Sequence, residues 1–264
     1  MTHVKAYVKQ DGTVVQAHED KRFRSFVKEH APHLLSFFKS EKPHYPNQIE
    51  HPMPKEDGTP AMIHEPSTPT PMESWGDKNS IATVVPGGPM PDSLNGVPFK
   101  SWDDAPDAPE AWDEVEGQDP YLDEPPFESL GKPAAGVVIE EPDGRVWVIH
   151  PTNKFGGYEG CFPKGRLEEG INLQASAIKE AYEESGLKVA ITGYLMDVER
   201  SVTTARYYTA RRVGGTPSDM GWESQSTSLV PRSKLYDVLN SPNDHGLAEA
   251  LGAGPAPKPA PKKI

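Results

Sequence analysis

From about Ala134 onward, the alternation of hydrophobic and polar positions is typical of β-strands. Two runs of β-branched residues flank Pro142-Asp143-Gly144, which predicts a pair of strands joined by a tight turn. Further runs rich in β-branched and aromatic residues predict more strands. The predicted strand segments are AAGVVIEE (134–141), RVWVIHPT (145–152), VAITGYLMDVE (189–199), VTTARYYTARRV (202–213) and STSLVP (226–231).

One segment between these strands, near residues 173–185, has helical periodicity instead. Asn172 is a candidate N-cap and Gly186 a candidate stop, and the residues between them favour a helix. One stripe of this helix should pack on the sheet, and its members are Ala177, Ile178, Ala181 and Tyr182. Short helices are predicted near 233–240 and 246–251. The order of elements predicts an α+β fold with a mixed sheet.

The N-terminal 40 residues carry two weaker patterns. Residues 4–18 alternate around Asp11-Gly12, which predicts a hairpin. Apolar residues at helical spacing follow over residues 22–40, although Pro32 should break or bend that helix. We expect residues 1–40 to form this small hairpin-plus-helix segment, which is too small for a dependable core of its own.

Composition changes the interpretation of residues 41–130. This stretch holds 17 of the 29 prolines, and from Glu41 to Glu128 it has 19 acidic and 4 basic side chains. We expect a disordered acidic linker there, with four scattered aromatic residues as isolated side chains or as anchors for a protein partner. Those residues are Trp75, Trp102, Trp112 and Tyr121. The compact domain is expected at 131–252, followed by a disordered Pro/Lys tail at 253–264.

Charge and cysteine content exclude some classes of function. The net charge of −12 argues against strong binding of nucleic acid through bulk charge. No apolar run approaches the roughly 18 residues of a membrane span, and the N-terminus lacks a signal-peptide core. The single cysteine, Cys161, excludes an intrachain disulfide, which fits a reducing, cytoplasmic location.

Candidate chemistry lies at the end of the predicted helix, where Glu180, Glu183 and Glu184 stand at i, i+3 and i+4. This spacing clusters three carboxylates on one face, and each like-charge pair costs a few tenths of a kcal/mol. A hard divalent cation would relieve the repulsion and use all three as oxygen donors. A solvated acidic face is the alternative for three glutamates taken alone.

The loop before the helix favours the metal hypothesis. Within Phe-Pro-Lys-Gly (162–165), Pro163 fixes the chain path and Gly165 allows close approach of the backbone, whose carbonyl can join a metal shell. Lys164 and Arg166 flank this glycine and are candidates to bind phosphate oxygens.

Residues Gly165–Leu187 resemble the Nudix box, with Gly165, Glu180, Glu183, Glu184, Gly186 and Leu187 in register and Ala181 replacing an aliphatic residue. The resemblance implies a Nudix-like α/β/α sandwich with a mixed sheet over about 130–250. It also implies Mg²⁺ or Mn²⁺ bound by the three glutamates with Gly165. The run FPKGRLEEG is similar to the subgroup that acts on diadenosine polyphosphates and diphosphoinositol polyphosphates.

Two positions depart from the box. Ile171 stands where the family has its first glutamate, and Lys179 stands where the family has an arginine. Lysine lacks the planar fork that binds a carboxylate through two nitrogens, so this substitution is not neutral. Glu168 and Glu169 precede Ile171 and can supply part of the missing charge.

The resemblance implies hydrolysis of a diphosphate bond in a nucleoside diphosphate linked to another moiety, such as a dinucleoside polyphosphate or ADP-ribose. The general base is expected to be a helix glutamate, Glu183 or Glu184, or else Glu223 from a later loop. Arg206 is a candidate phosphate clamp, with surface exposure as the alternative. Trp222, Tyr158 and Tyr208 are candidates to stack on a base, whereas His150 ends a strand and favours a structural role.

Two other functions stay open at this point. A Nudix fold that senses a nucleotide with weak or no turnover is suggested by Ile171 and Lys179. A scaffold protein that recruits partners through its Pro-rich regions is the third hypothesis. Turnover with a divalent metal, and its loss in Glu184→Gln, separates the enzyme from the sensor.

Overall fold

The computed structural model describes residues 46–255 and, nearer the N-terminus, the backbone of two short strands. These strands, β1 (Tyr7–Val8) and β2 (Val14–Val15), pair antiparallel with Tyr7 opposite Val15, in agreement with the predicted hairpin. The helix predicted over 22–40 lies outside the described residues, as does the tail from residue 256. No helix in the described part of the chain has both the length and the apolar character needed to cross a bilayer.

Strands dominate the described chain. The strands after β2 are β3 (Ile49–Glu50), β4 (Met62–Ile63), β5 (Ala82–Val84), β6 (Ser93–Leu94), β7 (Val97–Pro98), β8 (Lys132–Glu140), β9 (Arg145–Pro151), β10 (Lys164–Arg166), β11 (Leu187–Glu199), β12 (Thr203–Gly215) and β13 (Ser224–Pro231). The α-helices are α1 (Glu73–Gly76), α2 (Pro109–Asp113), α3 (Leu173–Ser185), α4 (Leu235–Val238) and α5 (Pro242–Ala250). Three 3₁₀ segments cover Thr152–Gly157, Pro217–Asp219 and Arg232–Lys234.

The main sheet is mixed and has the order β11-β12-β8-β9-β13-β5, with β10 added beside β8. Strands β12 and β8 run parallel, and the other pairs in this sheet are antiparallel. The predicted strands are therefore confirmed, and so is the mixed α+β sheet. Strands β5 and β10 are additions that the sequence did not predict.

Helices cover both faces of the sheet, which confirms the α/β/α arrangement. On one face, α3 packs through Ile178 and Ala181 on Val137 and Ile139 of β8. On the other face, Leu247 of α5 belongs to a core with Val138, Val148, Phe162 and Tyr207. Alternate residues of β8 thus face opposite layers, as the two-residue period of a strand requires.

Strands β8 and β9 pair only where they leave their common turn, at Glu140 and Val146. Farther along, the strands separate and residues 161–166 enter the gap. Cys161 pairs with Ile149 of β9, while Gly165 lies opposite Ala135 of β8. The separation admits the Pro-Lys-Gly loop into the middle of the sheet, beside the end of α3.

The expectation of a disordered linker over 41–130 does not hold for residues 46–130. Trp75, Trp102 and Trp112 are all buried in the core on the α3 face, and β5 pairs with β13 at the sheet edge. Burial of a tryptophan removes roughly 150–250 Å² from water, which favours an ordered path even for an acidic, Pro-rich chain. The three tryptophans are therefore internal anchors; Tyr121, in contrast, is 94% exposed.

Three buried arginines of the sheet hold this Pro-rich segment by its carbonyl groups. Arg145 donates to Trp75 O at 2.7 Å, Arg206 to Pro125 O at 2.9 Å and Arg212 to Leu94 O at 2.9 Å. A Pro-rich chain is short of N–H donors but keeps every carbonyl, so guanidinium groups are suitable partners. Residues 47–130 thus form part of the same folded unit as the sheet.

Candidate functional site

Helix α3 begins and ends where the sequence predicts. The side chain of Asn172 accepts a hydrogen bond from Ala175 N at 3.0 Å, and Gly186 has a left-handed conformation with φ 70°. Gly186 also lies against Thr216 and Met220, where a Cβ would overlap the backbone. These two ends fix which turn of the helix faces the Pro-Lys-Gly loop. The predicted stripe is confirmed for Ala177, Ile178 and Ala181; Tyr182, however, packs on Trp102 at 5.1 Å between ring centroids.

The carboxylates of Glu180 and Glu184 point from α3 toward β10. Glu180 lies directly against the Cα of Gly165, where a Cβ would overlap the carboxylate. Glu184 Oε2 accepts a hydrogen bond from the backbone N–H of Lys164 at 2.7 Å. Both side chains are buried, with 8% and 7% exposure respectively.

Glu183 occupies a different environment from the other two glutamates. Its Oε2 accepts from Lys179 Nζ at 2.7 Å, and the same nitrogen donates to Glu168 Oε1 at 2.9 Å. Lys179 thus joins the loop to the helix through both carboxylates. Glu168 therefore does bring charge to the place where Ile171 departs from the family pattern.

Ile171 itself is a core residue. Its side chain is buried with Ala175 and Ile178 on the α3 face of the sheet. A carboxylate at this position would have to be buried among apolar neighbours at high cost in free energy. The departure at Ile171 therefore extends the core, while the charged contacts begin at Glu168.

Burial dominates the electrostatics of the cluster. It raises the pKa of Glu180 well above the usual range of a glutamate, and the carboxylates of Glu184 and Glu183 raise this pKa further. Burial also raises the pKa of Glu184, although the charge and the N–H of Lys164 oppose the shift. Within residues 46–255, Glu180 forms no salt bridge. A buried anion without a counter-ion is costly, and a divalent cation among oxygen donors offsets that cost.

The glutamates are not gathered into a ready metal centre. No group of three His, Cys, Asp or Glu side chains in the described part of the chain has the arrangement needed to hold a metal ion. Lys179 is one physical reason, because it turns Glu183 toward Glu168. Two of the carboxylates lie beside Gly165, and Glu183 would have to leave Lys179 to join them.

The loop that carries Glu223 is bound to the same end of α3. Gly221 N donates to Glu183 O at 2.8 Å, and Thr152 N donates to Glu223 O at 2.7 Å. Burial raises the pKa of Glu223, and the carboxylates of Glu183 and Glu56 raise it further. The structure thus brings Glu223, predicted as a candidate from a distant loop, beside the three helix glutamates.

The three cationic candidates for phosphate binding, Lys164, Arg166 and Arg206, lie in different environments. Lys164 places its Nζ 5.1 Å from the Tyr158 ring centroid, whereas Arg166 is exposed at the end of β10. Arg206 is buried and paired through two nitrogens with Asp197 at 2.8 Å, and it also donates to Glu124. Its guanidinium is therefore occupied by protein groups, which disfavours the predicted phosphate clamp. Tyr208 donates to the same Glu124 at 2.9 Å, and so is not a free stacking surface.

Two residues near the site were missed because their segment was interpreted as a linker. Lys55 places Nζ 5.7 Å from the Trp222 ring centroid, and Glu56 lies close enough to Glu223 to affect its pKa. No local motif marks either residue. Only the packing of residues 46–67 against β13 and the Glu223 loop reveals them.

Comparison with known proteins agrees with the motif. Residues 131–243 match the family model of the NUDIX domain. An RNA pyrophosphohydrolase of Caulobacter vibrioides is 39% identical over 56 residues, which cover 21% of this chain and 33% of that protein. MutT4 of Mycobacterium tuberculosis is 28% identical over 129 residues, 44% of this chain and 52% of that protein. The chain thus spans about half, or less, of the length of these curated relatives.

Solved structures with a similar arrangement include an ADP-ribose pyrophosphatase from Streptococcus suis, 17% identical, with a TM-score of 0.38. The match covers 46% of this chain and 87% of that one. An Ap4A hydrolase of C. elegans is 16% identical with the same TM-score of 0.38, covering 46% of this chain and 96% of that one.

Proposed function

Because residues 131–243 are a NUDIX domain, we propose that this protein hydrolyses a diphosphate bond in a nucleoside diphosphate linked to another moiety. The observation that carries the proposal is the pair of buried carboxylates, Glu180 and Glu184, which face the glycine of the Pro-Lys-Gly loop. Buried carboxylates without an ion pair are costly to keep unless they bind something. The similarity to an RNA pyrophosphohydrolase of Caulobacter vibrioides supports the same class of bond.

The chemistry of the donor set suits a divalent cation, Mg²⁺ or Mn²⁺, once Glu183 leaves Lys179. Glu180, Glu183 and Glu184 would hold it, together with the Gly165 carbonyl, since these hard cations prefer oxygen ligands. Such a cation neutralises phosphate charge and makes a coordinated water more acidic. The protein's part is to keep Glu180 and Glu184 fixed on α3 and to release Glu183 from Lys179 when the cation binds.

Glu223 is proposed as the general base. Its loop is fixed to α3 and to Thr152 by backbone hydrogen bonds, so the carboxylate has a defined position next to Glu183. Its raised pKa suits proton abstraction from water near neutral pH better than that of an ordinary glutamate. Glu183 and Glu184 are the other candidates for this role.

Lys164 and Arg166 are proposed to bind the phosphate oxygens of the substrate. Lys164 is adjacent to both Gly165 and the Glu184 hydrogen bond, which puts its ammonium group at the border of the glutamate cluster. Arg166 is exposed at the end of β10, where it is accessible to a phosphate group. The substrate class that follows is an anionic nucleotide derivative, such as a dinucleoside polyphosphate or ADP-ribose.

A second candidate function is a nucleotide sensor with weak turnover. The specific observation in its favour is the Lys179 bridge, which holds Glu183 away from the other two glutamates. If that bridge persists when nucleotide and metal are bound, the third ligand is missing and hydrolysis is slow.

The experiment that tests these functions is a turnover assay of the full chain with Mg²⁺ or Mn²⁺. Substrates are ADP-ribose, dinucleoside polyphosphates and nucleoside triphosphates, with product masses identifying the broken bond. We expect Glu184→Gln to lower kcat by about 10²-fold or more, by analogy with the loss of one electrostatic group at a reacting centre. The matched control is Glu73→Gln in α1, an exposed glutamate that contacts neither α3 nor the Pro-Lys-Gly loop.

Three outcomes of this assay are informative. Turnover that Glu184→Gln abolishes and Glu73→Gln preserves supports the enzyme. Tight nucleotide binding without turnover supports the sensor. Neither binding nor turnover with any of these nucleotides contradicts both functions.

A further inference from the structure

A short part of the Pro-rich segment, residues 51–59, forms a wall beside the candidate site although it precedes the NUDIX domain by more than 70 residues. His51 is buried and fixes this wall to the Glu223 loop. Its Nε2 donates to Ser224 O at 3.2 Å, and its Nδ1 accepts from Met53 N at 3.0 Å. Because Ser224 directly follows Glu223, the wall is fixed next to the proposed base.

The tip of this wall is an internally hydrogen-bonded turn. Lys55 N donates to Thr59 O at 2.9 Å, and Gly58 N donates back to Lys55 O at 2.8 Å. Asp57 Oδ1 accepts from both the backbone N–H and the hydroxyl of Thr59, and Gly58 adopts φ 77°. These bonds define the position of the Lys55 backbone, so that its side chain starts from a fixed point.

The Lys55 side chain reaches the ring of Trp222. Its Nζ lies 5.7 Å from the centroid of the Trp222 ring, and Trp222 immediately precedes Glu223. A lysine near an indole face is attracted by about 0.5–1 kcal/mol at an exposed site, enough to bias its position without fixing it. Glu56, the next residue, lies within electrostatic range of Glu223. The wall therefore brings one ammonium group, that of Lys55, and the carboxylate of Glu56 to the residues around Glu223.

We propose that Lys55 is a substrate-binding residue that recognises a phosphate beyond the scissile diphosphate, and so selects substrates with three or more phosphates. The inference rests on the function proposed above, whose cation and Lys164 account for the diphosphate itself. An ammonium group at the outer rim, on the side of Glu223, is placed to meet the more distal part of a longer anionic chain. Trp222 keeps the amine at the rim until a phosphate is present.

The kinetic test compares Lys55→Ala and Lys55→Arg in the full chain, using diadenosine tetraphosphate and ADP-ribose. We expect Lys55→Ala to raise KM for the tetraphosphate about tenfold with little change in kcat, since one charged hydrogen bond is lost on binding. KM for ADP-ribose, which has only two phosphates, should change less than twofold, and Lys55→Arg should retain most of the affinity. The control is Lys78→Ala, an exposed lysine in the same segment near the Arg145 end of the sheet.

The same comparison in binding keeps the inference separate from catalysis. Calorimetry with β,γ-methylene ATP and α,β-methylene ADP, in Mg²⁺, measures affinity whether or not the protein turns over nucleotides. Loss of about tenfold in affinity for the triphosphate analogue alone supports the role of Lys55. Equal effects on both analogues, an equal effect of Lys78→Ala, or no binding of the triphosphate analogue by the wild-type protein overturns it. Binding that depends on Lys55 without any turnover contradicts the hydrolase function only.

Discussion

The carboxylate of Glu180 occupies the space in which a side chain at Gly165 would begin. This contact joins the Pro-Lys-Gly loop to the third turn of α3, two segments that the chain separates by 14 residues. Glycine is required at position 165 because a Cβ there would overlap the Glu180 carboxylate. The backbone conformation does not require glycine, because the φ of Gly165 is not in the left-handed region. The contact makes Gly165 part of the proposed metal site through its missing Cβ as well as its carbonyl.

Gly165→Ala is therefore expected to displace Glu180 and to lower kcat by about tenfold or more, because a shift of about 1 Å in a catalytic group can cost that much. Steady-state kinetics in Mg²⁺ measures the loss. Gly246→Ala is the matched control, since a Cβ at Gly246 in α5 meets no other atom and alanine favours a helix. Unchanged kcat in Gly165→Ala would show that Glu180 is not needed at its present position.

Removal of Lys179 should release Glu183. In Lys179→Ala the three glutamates lose their nearby cation, so we expect the free energy of unfolding without metal to fall by about 0.5–1 kcal/mol. Lys179 is half-buried and hydrogen bonds to Glu183 and Glu168 support its charge. Urea unfolding with and without Mg²⁺ measures the effect, which should shrink when the cation is present.

Lys179→Arg is the conservative partner of that variant. The planar guanidinium can bind Glu183 and Glu168 through separate nitrogens, so the stability of this variant should match that of wild type within about 0.5 kcal/mol. Stability that falls as far in Lys179→Arg as in Lys179→Ala would contradict the ion-pair explanation.

Trp102→Ala should destabilise the whole domain, although Trp102 precedes the NUDIX region. The indole is 7% exposed and packs on Tyr182 of α3 and on Trp112. Truncation of a buried tryptophan costs about 3–5 kcal/mol, which chemical denaturation measures directly. Tyr121→Ala in the same segment is the control: Tyr121 is almost fully exposed, so its loss should cost under about 0.5 kcal/mol. Equal stability of the two variants would mean that the segment does not belong to the core.

The contribution of His150 to stability should fall as the pH is lowered below about 6.5, because burial lowers the pKa of this histidine from that ordinary value. The raised pKa values of Glu180, Glu184 and Glu223 act in the opposite direction, so the effect is measured as a difference between wild type and a His150 variant. Its Nδ1 donates to Glu159 O at 2.7 Å and its Nε2 accepts from Ser228 at 2.8 Å, so the neutral ring is the bonded form. The unfolded chain takes up the proton at higher pH than the folded chain. Acid therefore weakens the contribution of His150, which is fully present above about 6.5.

Urea unfolding at pH 7.5 and 5.5 measures this dependence. The variant His150→Gln should be less stable than wild type at pH 7.5, and the difference in stability between the two proteins should shrink at pH 5.5. An identical pH dependence in wild type and variant would exclude a contribution from His150. Burial also lowers the pKa of His51, so the contribution of this histidine to stability should likewise fall as the pH is lowered.

Much of the candidate site could be predicted because its signals are local. The cap at Asn172, the stop at Gly186 and the spacing of Glu180, Glu183 and Glu184 depend on hydrogen bonds and side-chain directions within a few residues. The strands followed from two-residue periodicity for the same reason. Local geometry fixes these features whatever the rest of the chain does.

Which charged side chains form ion pairs across the fold could not be predicted from the sequence. From the sequence, Arg206 is a candidate phosphate clamp and Lys179 is a cation beside the helix glutamates. The sequence does not show that Asp197 and Glu124 bind Arg206. Nor does it show that Glu168 binds Lys179. Each pairing joins positions that only packing brings together, and burial decides its strength.

The sequence by itself determined the helix with its three glutamates, the glycine of the Pro-Lys-Gly loop and the main strands of the sheet. Each of these features depends on interactions between near neighbours in the chain. Tertiary structure alone decided that residues 47–130 pack on the sheet, with Trp75, Trp102 and Trp112 in the core and Lys55 beside Trp222. A high content of proline and acidic residues indicates that a segment has many groups suited to contact with water. Whether a few tryptophans and three arginines hold it in place depends on complementary surfaces elsewhere in the fold, which no local pattern records.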